Sequence, residues 1–499
     1  MKNKFYITTP LYYVNASPHI GHSYTTIAAD TLARYMRKSL GKDNVFFLTG
    51  TDEHGEKIQR AADAAGLSPQ DFADKTVSSF VALWKVLDIS YDDFIRTTEA
   101  RHTNFVRRVL TILNNKGDIY EGKYEGLYCT PCETFWLKNQ VIDGLCPDCR
   151  RPVENITETN YFFRLSKYQD WLLEIFNKNP GFIKPASRYE ESLSFLKNNR
   201  LNDLCISRPK ERLSWGIPLP FAPEHVTYVW FDALINYISA VGEFDSEDRY
   251  ISKWWPADLH LMAKDILRQH TIYWPIILHA LGIQLPKAVF AHGWWLIGAD
   301  KMSKSRGNVV NPLEVIERYG LDAYRYFLLR DVPFGLDGNF SEESIIKRYN
   351  SDLANDLGNL VYRTITMIEK YFKGNTPKVD ISALDNQKDK ELLDKKNSLK
   401  SLVDSALRNQ DFVFALEAIW NLIGMANKYI EDTKPWNLIK EDKKDALSIF
   451  ICILVEVIRS VAQELEVFMP QTAGLIQVQF EGQIIKKGEP LFPRIEAKE

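Results

Sequence analysis

The residues best suited to chemistry are two histidines one helical turn apart. His19-Ile20-Gly21-His22 follows the apolar segment Phe5-Tyr6-Ile7-Thr8-Thr9 and opens a stretch that reads as helix to about Ser39. Ser17 is the expected cap of that helix, and Pro18 suits its first turn, where no backbone N–H is needed. A helix N-terminus gathers unsatisfied N–H groups and the positive end of the dipole, so it attracts phosphate. Imidazoles beside that end, with Gly21 between them to let a ligand near the backbone, suit a polyphosphate. A second candidate is Asp300-Lys301-Met302-Ser303-Lys304-Ser305. Its lysines and serines could clamp phosphate by charge and hydroxyl contacts. Taken alone, each stretch also reads as ordinary surface, a histidine pair beside a cap and a solvated basic turn. A third candidate is a pair of knuckles, Cys129-Thr130-Pro131-Cys132 and Cys146-Pro147-Asp148-Cys149, thirteen residues apart. Four thiolates at that spacing hold one tetrahedral Zn²⁺ with no position left for water, which makes the metal structural. Redox dithiols and a chance spacing are the rival readings, and paired knuckles in an intracellular chain disfavour both.

The elements that must position these groups alternate at first between strand and helix. Strands are expected at 5–9, at Asn44 to Thr49 and at Phe94-Ile95, and helices at 18–39, up to Gly66, from the Ser68-Pro69 cap and over 99–115. The His19 and Asp52 loops then lie at the carboxyl ends of neighbouring parallel strands, facing one crevice. Near 116 the texture becomes Gly-, Tyr- and Cys-rich. Alternation resumes near 226, with strands at Leu259 to Met262 and Ala288 to Ala291 and a helix carrying Tyr237. A nucleotide-binding domain split by a zinc module explains that order. Beyond 350 helical periodicity dominates, with Leu353, Leu357 and Leu360 on one face and helices near 388–408, 411–431 and 443–466, an antiparallel bundle. From about 474 strand-like pieces such as Ile476-Gln477-Val478 form a tail.

Composition sets bounds on this reading. The chain has 499 residues, 45% hydrophobic and 25% charged, with net charge −3. That length predicts about three domains, and the charge gives no whole-chain attraction to nucleic acid, so RNA contacts must use local patches. The longest apolar run, Ile449 to Val455, is too short for a bilayer, and Met1-Lys2-Asn3-Lys4 leads straight into a strand rather than a signal segment. A soluble cytoplasmic protein with no membrane partner is expected. Cys205 and Cys452 are expected as buried thiols.

His19-Ile20-Gly21-His22 and Lys301-Met302-Ser303-Lys304-Ser305, in that order around a divided strand-helix domain, resemble the two motifs of class I aminoacyl-tRNA synthetases. With Trp230-Phe231-Asp232-Ala233 and His292-Gly293-Trp294-Trp295, the chain resembles the methionyl-tRNA synthetase family over essentially its whole length. The resemblance implies an α/β fold with a split doubly wound, Rossmann-like catalytic domain (1–115 and 226–295), a zinc-binding connective domain (116–225), a stem-contact region with the lysine loop (296–350), a helical anticodon-binding domain (351–473) and a tail (474–499). It implies activation of methionine with ATP and transfer of the methionyl group to the 3′-terminal adenosine of tRNA(Met).

His19, His22, Lys301 and Lys304 are then the catalytic set, and Gly21, Lys264, Asp265, His292, Gly293 and Ser303 join them around ATP and its Mg²⁺. The methionine pocket is implied at Leu11, Tyr13, Asp52, Trp230, Ala233, Tyr237, Ile266, His270, Tyr273 and Trp274. Aromatic walls suit a polarisable thioether, and Asp52 is placed for the substrate ammonium. Asn359, Arg363 and Trp436 would read the anticodon by base-edge hydrogen bonds and stacking. The chain ends before the extra C-terminal domain that makes some relatives dimeric, so a monomer is expected. Ala263, Gln269 and Leu234 depart from common family residues. Two rival readings are another class I synthetase and a non-catalytic zinc-ribbon RNA-binding protein. The first is disfavoured by an insertion of roughly 110 residues, short for an editing domain, and the second by the intact histidine and lysine motifs.

Overall fold

The computed structural model describes residues 4–130, 134–136, 141, 143–147, 149–297, 300–301, 310–381, 384, 386–482, 484–485 and 487–496. The chain forms two compact units, Met1–His292 and Gly293–Glu499.

The first unit is built on six strands: β1 (Phe5–Tyr13), β2 (Val45–Asp52), β3 (Asp93–Arg96), β4 (Ile183–Lys184), β5 (Leu259–Ala263) and β6 (Val289–His292). They lie in the order β3-β2-β1-β5-β6-β4, and every adjacent pair is parallel. Strands covered on both faces read as continuous apolar runs. Ile7, Phe47, Leu48 and Leu261 are accordingly fully buried. Strand order reverses between β1 and β5, and ligands of such sheets sit beyond the carboxyl ends at that reversal.

Helix α1 (Ile20–Leu40) connects β1 to β2 and buries thirteen of its residues, ending at Gly41 with φ 88°. Its N-cap is His19 rather than the expected Ser17. The His19 ring nitrogen accepts the Gly21 N–H, a role a serine oxygen usually takes. Strand β1 also runs four residues past the expected Thr9. Pro10 lacks an N–H, and the ladder to β2 absorbs it with a register shift between Thr8 and Leu11. At Gly50 a Cβ would lie 2.0 Å from the Ile95 carbonyl oxygen, so only glycine lets β2 and β3 approach there.

The Cys-rich stretch forms a long antiparallel hairpin, Ile119–Cys129 with Glu154–Phe163, in register from Ile119↔Phe163 to Tyr128↔Glu154. Two short strands, Thr134–Trp136 and Leu204–Cys205, pair along its outer edges. The intervening helices Gln169–Lys178 and Ala186–Asn198 flank β4. Their Leu172, Phe176, Leu193 and Leu196 share one apolar core with β5 and β6. The zinc-module stretch thus also supplies the sixth strand of the main sheet.

The second unit is mostly helical, with Asn359–Phe372, Gln387–Arg408, Phe412–Thr433 and Lys444–Leu465 as its long helices. Leu353, Leu357 and Leu360 are buried together as the periodicity predicts. Residues 476–478, expected as strand-like, lie instead in the helix Pro470–Phe480. Burial of Thr472, Ala473, Ile476 and Phe480 at three- and four-residue spacing explains why tertiary packing overrides the local β propensity. Among the described residues no helix is long and apolar enough to cross a membrane.

Candidate functional site

The mouth of the sheet is organised by α1. The His19 N–H donates to His22 Nδ1 at 3.0 Å, and the Gly21 N–H donates to His19 Nδ1 at 3.1 Å. This reciprocal cap holds the two imidazoles with centroids 3.9 Å apart and planes tilted by 35°. Because both Nδ1 atoms accept, each neutral ring carries its proton on Nε2 as a donor. Tyr12 and Phe80 meet the His22 ring edge-on at 5.1 and 5.3 Å. One turn into α1, Thr25 Oγ1 lies 2.7 Å from Nε2 of His292, the last residue of β6. The expected ATP-site residues His19, Gly21, His22 and His292 are therefore connected through α1. Lys264 and Asp265 form the turn after β5. Gly293 begins the second unit, where a Cβ would collide with the Leu336 backbone at 2.2 Å, which gives this glycine a packing requirement of its own.

The residues expected around methionine fall on β1, β2, the helix Val229–Ser239 and the segment after β5. Tyr13 and Asp52 are register partners at the ends of β1 and β2, as are Leu11 and Gly50. Asp52 is buried. Trp230 is half-buried in the first turn of its helix, while Ala233 and Tyr237 are buried on it. His270 and Tyr273 lie in a π-helical turn, Gln269–Tyr273, leading into Trp274, a distortion common at functional sites. Ile266 and Tyr273 pack against the same core, and burial raises the Tyr273 phenol pKa.

Tyr237 and His270 are hydrogen-bonded at 2.7 Å, and His270 Nδ1 lies 2.9 Å from the Ile266 carbonyl oxygen. A carbonyl only accepts, so Nδ1 carries the proton and Nε2 takes the Tyr237 O–H. Burial pushes the His270 pKa down to about 4, against the raising effect of the Ile266 bond. The ring is neutral at pH 7.

Several polar residues here were not singled out from the sequence. His54 Nδ1 lies 2.8 Å from Asp232 Oδ2, tying the loop after β2 to the helix that carries Trp230 and Tyr237. Glu53 is fully buried and accepts two bonds from Arg96, at 2.7 and 2.8 Å, and one each from Thr51 and Thr98. His260, in the middle of β5, is fully buried among Tyr237, Trp255 and Trp274. Asp232, Arg96 and Thr98 lie 178, 43 and 45 residues from the groups they hold, beyond the reach of spacing rules. The one available signal was a polar residue inside the apolar run Leu259 to Met262, which must find a partner if buried.

At the hairpin tip, the thiol sulfurs of Cys129, Cys146 and Cys149 lie within 4.8 Å of one another, with 3.4 Å between Cys129 and Cys149. Positive φ at Asp143, Gly144 and Arg150 turns the second knuckle, and the Arg150 N–H donates to the Cys146 carbonyl at 2.8 Å. A thiolate set this tight fits one soft divalent metal. Cys132 lies outside the described residues, as do Ser303 and Lys304. For Lys301 only the backbone is described, in a two-residue strand paired with Trp295–Ile297. Cys205 and Cys452 are buried thiols as expected.

In the second unit Asn359 is exposed and Trp436 is 44% exposed. Arg363 lies 3.9 Å from Glu431. An exposed tryptophan can stack an unpaired base.

Comparisons with known proteins meet this geometry. A family model described as class I tRNA synthetases (M) matches residues 5–155 and 150–365. The chain is 50% identical over 520 residues to the methionine–tRNA ligase of Caldanaerobacter subterraneus subsp. tengcongensis, covering 100% of this chain and 80% of that one. It is 46% identical over 519 residues to the same ligase of Thermotoga maritima, covering 99% and 81%. Its structure is similar to that of Mycobacterium tuberculosis methionyl-tRNA synthetase in complex with methionyl-adenylate, with TM-score 0.92 and 40% identity over 99% of this chain and 100% of that one.

Proposed function

The chain belongs to the class I methionyl-tRNA synthetases and is a methionine–tRNA ligase, and we propose that the crevice at the carboxyl ends of β1, β2, β5 and β6 is where it activates methionine. A carboxylate oxygen of methionine attacks the α-phosphorus of ATP. The bond to the bridging oxygen breaks, and pyrophosphate leaves with its Mg²⁺. A ribose hydroxyl of the 3′-terminal adenosine of tRNA(Met) then attacks the methionyl carbonyl, and AMP departs. Such transfer depends on in-line positioning and on donors aimed at spreading negative charge. His19 and His22 offer Nε2–H groups to the phosphates from the tip of α1, and Lys301, Ser303 and Lys304 supply further donors. Gly21, Lys264, Asp265, His292 and Gly293 hold the nucleotide. Asp52 pairs with the substrate ammonium, while Leu11, Tyr13, Trp230, Ala233, Tyr237, Ile266, His270, Tyr273 and Trp274 enclose its side chain. The observation that carries this reading is the reciprocal His19–His22 cap beside the strand-order reversal.

The metal is Zn²⁺, held by Cys129, Cys132, Cys146 and Cys149 to fold the hairpin tip. Asn359, Arg363 and Trp436 read the anticodon, and the enzyme works as a cytoplasmic monomer. Amino-acid-dependent ATP–pyrophosphate exchange tests the first step: methionine alone of the twenty should support it, and faster exchange with leucine or cysteine would defeat the assignment. Trp436→Ala should lower tRNA charging by at least about tenfold while exchange stays near normal. Equal loss of both would mark Trp436 as a packing residue.

A further inference from the structure

Behind the proposed methionine pocket lies a buried histidine whose bonds are spent on the pocket walls. His260 sits on β5 with no solvent exposure. The Trp274 indole N–H donates to its Nε2 at 3.2 Å. Its Nδ1 lies 2.7 Å from Thr8 Oγ1 on β1. An indole can only donate, so Nε2 must be unprotonated and Nδ1 must carry the proton to Thr8. Both nitrogens are occupied and the tautomer is fixed. The ring face lies 4.3 Å from the Tyr237 ring at 37°, and Tyr237 in turn holds His270. The Tyr6 hydroxyl, two residues before Thr8 on β1, donates to the Tyr237 carbonyl at 2.8 Å. Burial keeps His260 neutral, its pKa well below the usual range, and His270 adds to that effect.

We propose that His260 is a positioning residue for side-chain selection: it fixes the Trp274 indole and the Tyr237 ring in the one arrangement that distinguishes a thioether from its methylene isostere. The inference rests on the assignment of Tyr237, His270 and Trp274 to the amino-acid pocket. A thioether differs from a methylene mainly in polarisability and in its contacts with ring edges. That difference is small and is expressed only if the rings are held rigidly. An imidazole bonded at both nitrogens provides the rigidity. A leucine of similar bulk would leave the indole N–H without its acceptor and Tyr237 free to tilt.

The test is pyrophosphate exchange with methionine and with norleucine, in the whole chain. Exchange supported by methionine in the unsubstituted protein establishes the pocket first, and its absence there would overturn the pocket assignment rather than the role of His260. In His260→Leu, KM for methionine should rise about tenfold and the preference for methionine over norleucine should fall by a similar factor, with KM for ATP unchanged. His260→Gln, which keeps an acceptor for the indole, should recover most of both losses. A merely structural role would move the two substrates together and show no recovery by glutamine. If His260→Leu does not fold, Thr8→Val decides. It removes only the acceptor of the Nδ1 proton, and it should raise the methionine KM about threefold and leave ATP untouched. An unchanged methionine KM and unchanged norleucine discrimination in the folded variants would overturn the proposal.

Discussion

The two histidine pairs of the first unit are held by opposite means. His19 and His22 use one nitrogen each to cap α1 and are half-buried. His260 and His270 are buried in the wall of the proposed pocket, with both nitrogens of each ring engaged by Thr8, Trp274, Tyr237 and Ile266. The first pair stays half-buried at the tip of α1, where the proposed phosphate contact lies. The second gives up its donors and serves as rigid polar wedges in an apolar wall. One side-chain type therefore does two jobs, and what separates them is burial, half-buried at a helix tip in one case and enclosed in the core in the other.

The sharpest way to break this contrast is His22→Leu. Removing a donor aimed at the phosphates should cut the maximal exchange rate about 10²–10³-fold, or about 3–4 kcal/mol of barrier, with KM for methionine nearly unchanged. It also removes half of the reciprocal cap, so thermal denaturation should show about 1 kcal/mol lost. A larger rise in methionine KM than fall in rate would place His22 with the pocket instead.

Acid titration of stability separates the pairs next. His102 and His270 have folded pKa values near 4 through burial, and that of His260 is well below the usual range. The unfolded chain takes up these protons near pH 6.5 while the folded one does not, so the unfolded state binds more protons and stability falls as pH drops from about 6.5 towards 4. Each such histidine can contribute up to about 3 kcal/mol to that loss. Urea unfolding between pH 7 and 4.5 should therefore show a shallower pH dependence in His270→Gln than in the parent protein. An unaltered slope would mean that the His270 imidazole takes up its proton while folded.

The smallest effect belongs to the contact between α1 and β6. Thr25→Val deletes the hydroxyl partner of His292, and KM for ATP should rise about two- to fivefold with methionine unaffected. No change would leave His292 positioned by Tyr24, whose ring it meets edge-on at 4.9 Å.

Much of the site was legible because its parts are local. A cap, a helix start and paired knuckles are patterns within a few residues, and apolar runs announced β1, β2, β5 and β6. The capping residue itself was misplaced because an imidazole acceptor at an N-cap is rare beside serine. Residues 476–478, inside the helix Pro470–Phe480, were read as strand-like because Ile476 and Val478 favour strands until their neighbours bury one helical face. Strand β4 has two residues, too few for any periodicity. His54–Asp232, Glu53–Arg96 and His260–Trp274 depend on contacts that exist only after folding, so residue spacing carried no trace of them.

The seam between β1 and β5 has a consequence for synthesis. Ile7 pairs with Leu259, so one edge of β1 has no partner until that later residue has been made. At ~5–20 residues per second, about 250 residues take roughly 10–50 s to emerge. Throughout that interval the nascent chain carries a bare apolar strand edge, the form most open to wrong pairing. The Cys-rich hairpin, translated midway and paired with itself, can mature during the wait. The unit's centre thus closes late, shortly before β6 is added, and slowing translation between the hairpin and β5 should lengthen the period in which a chaperone is needed.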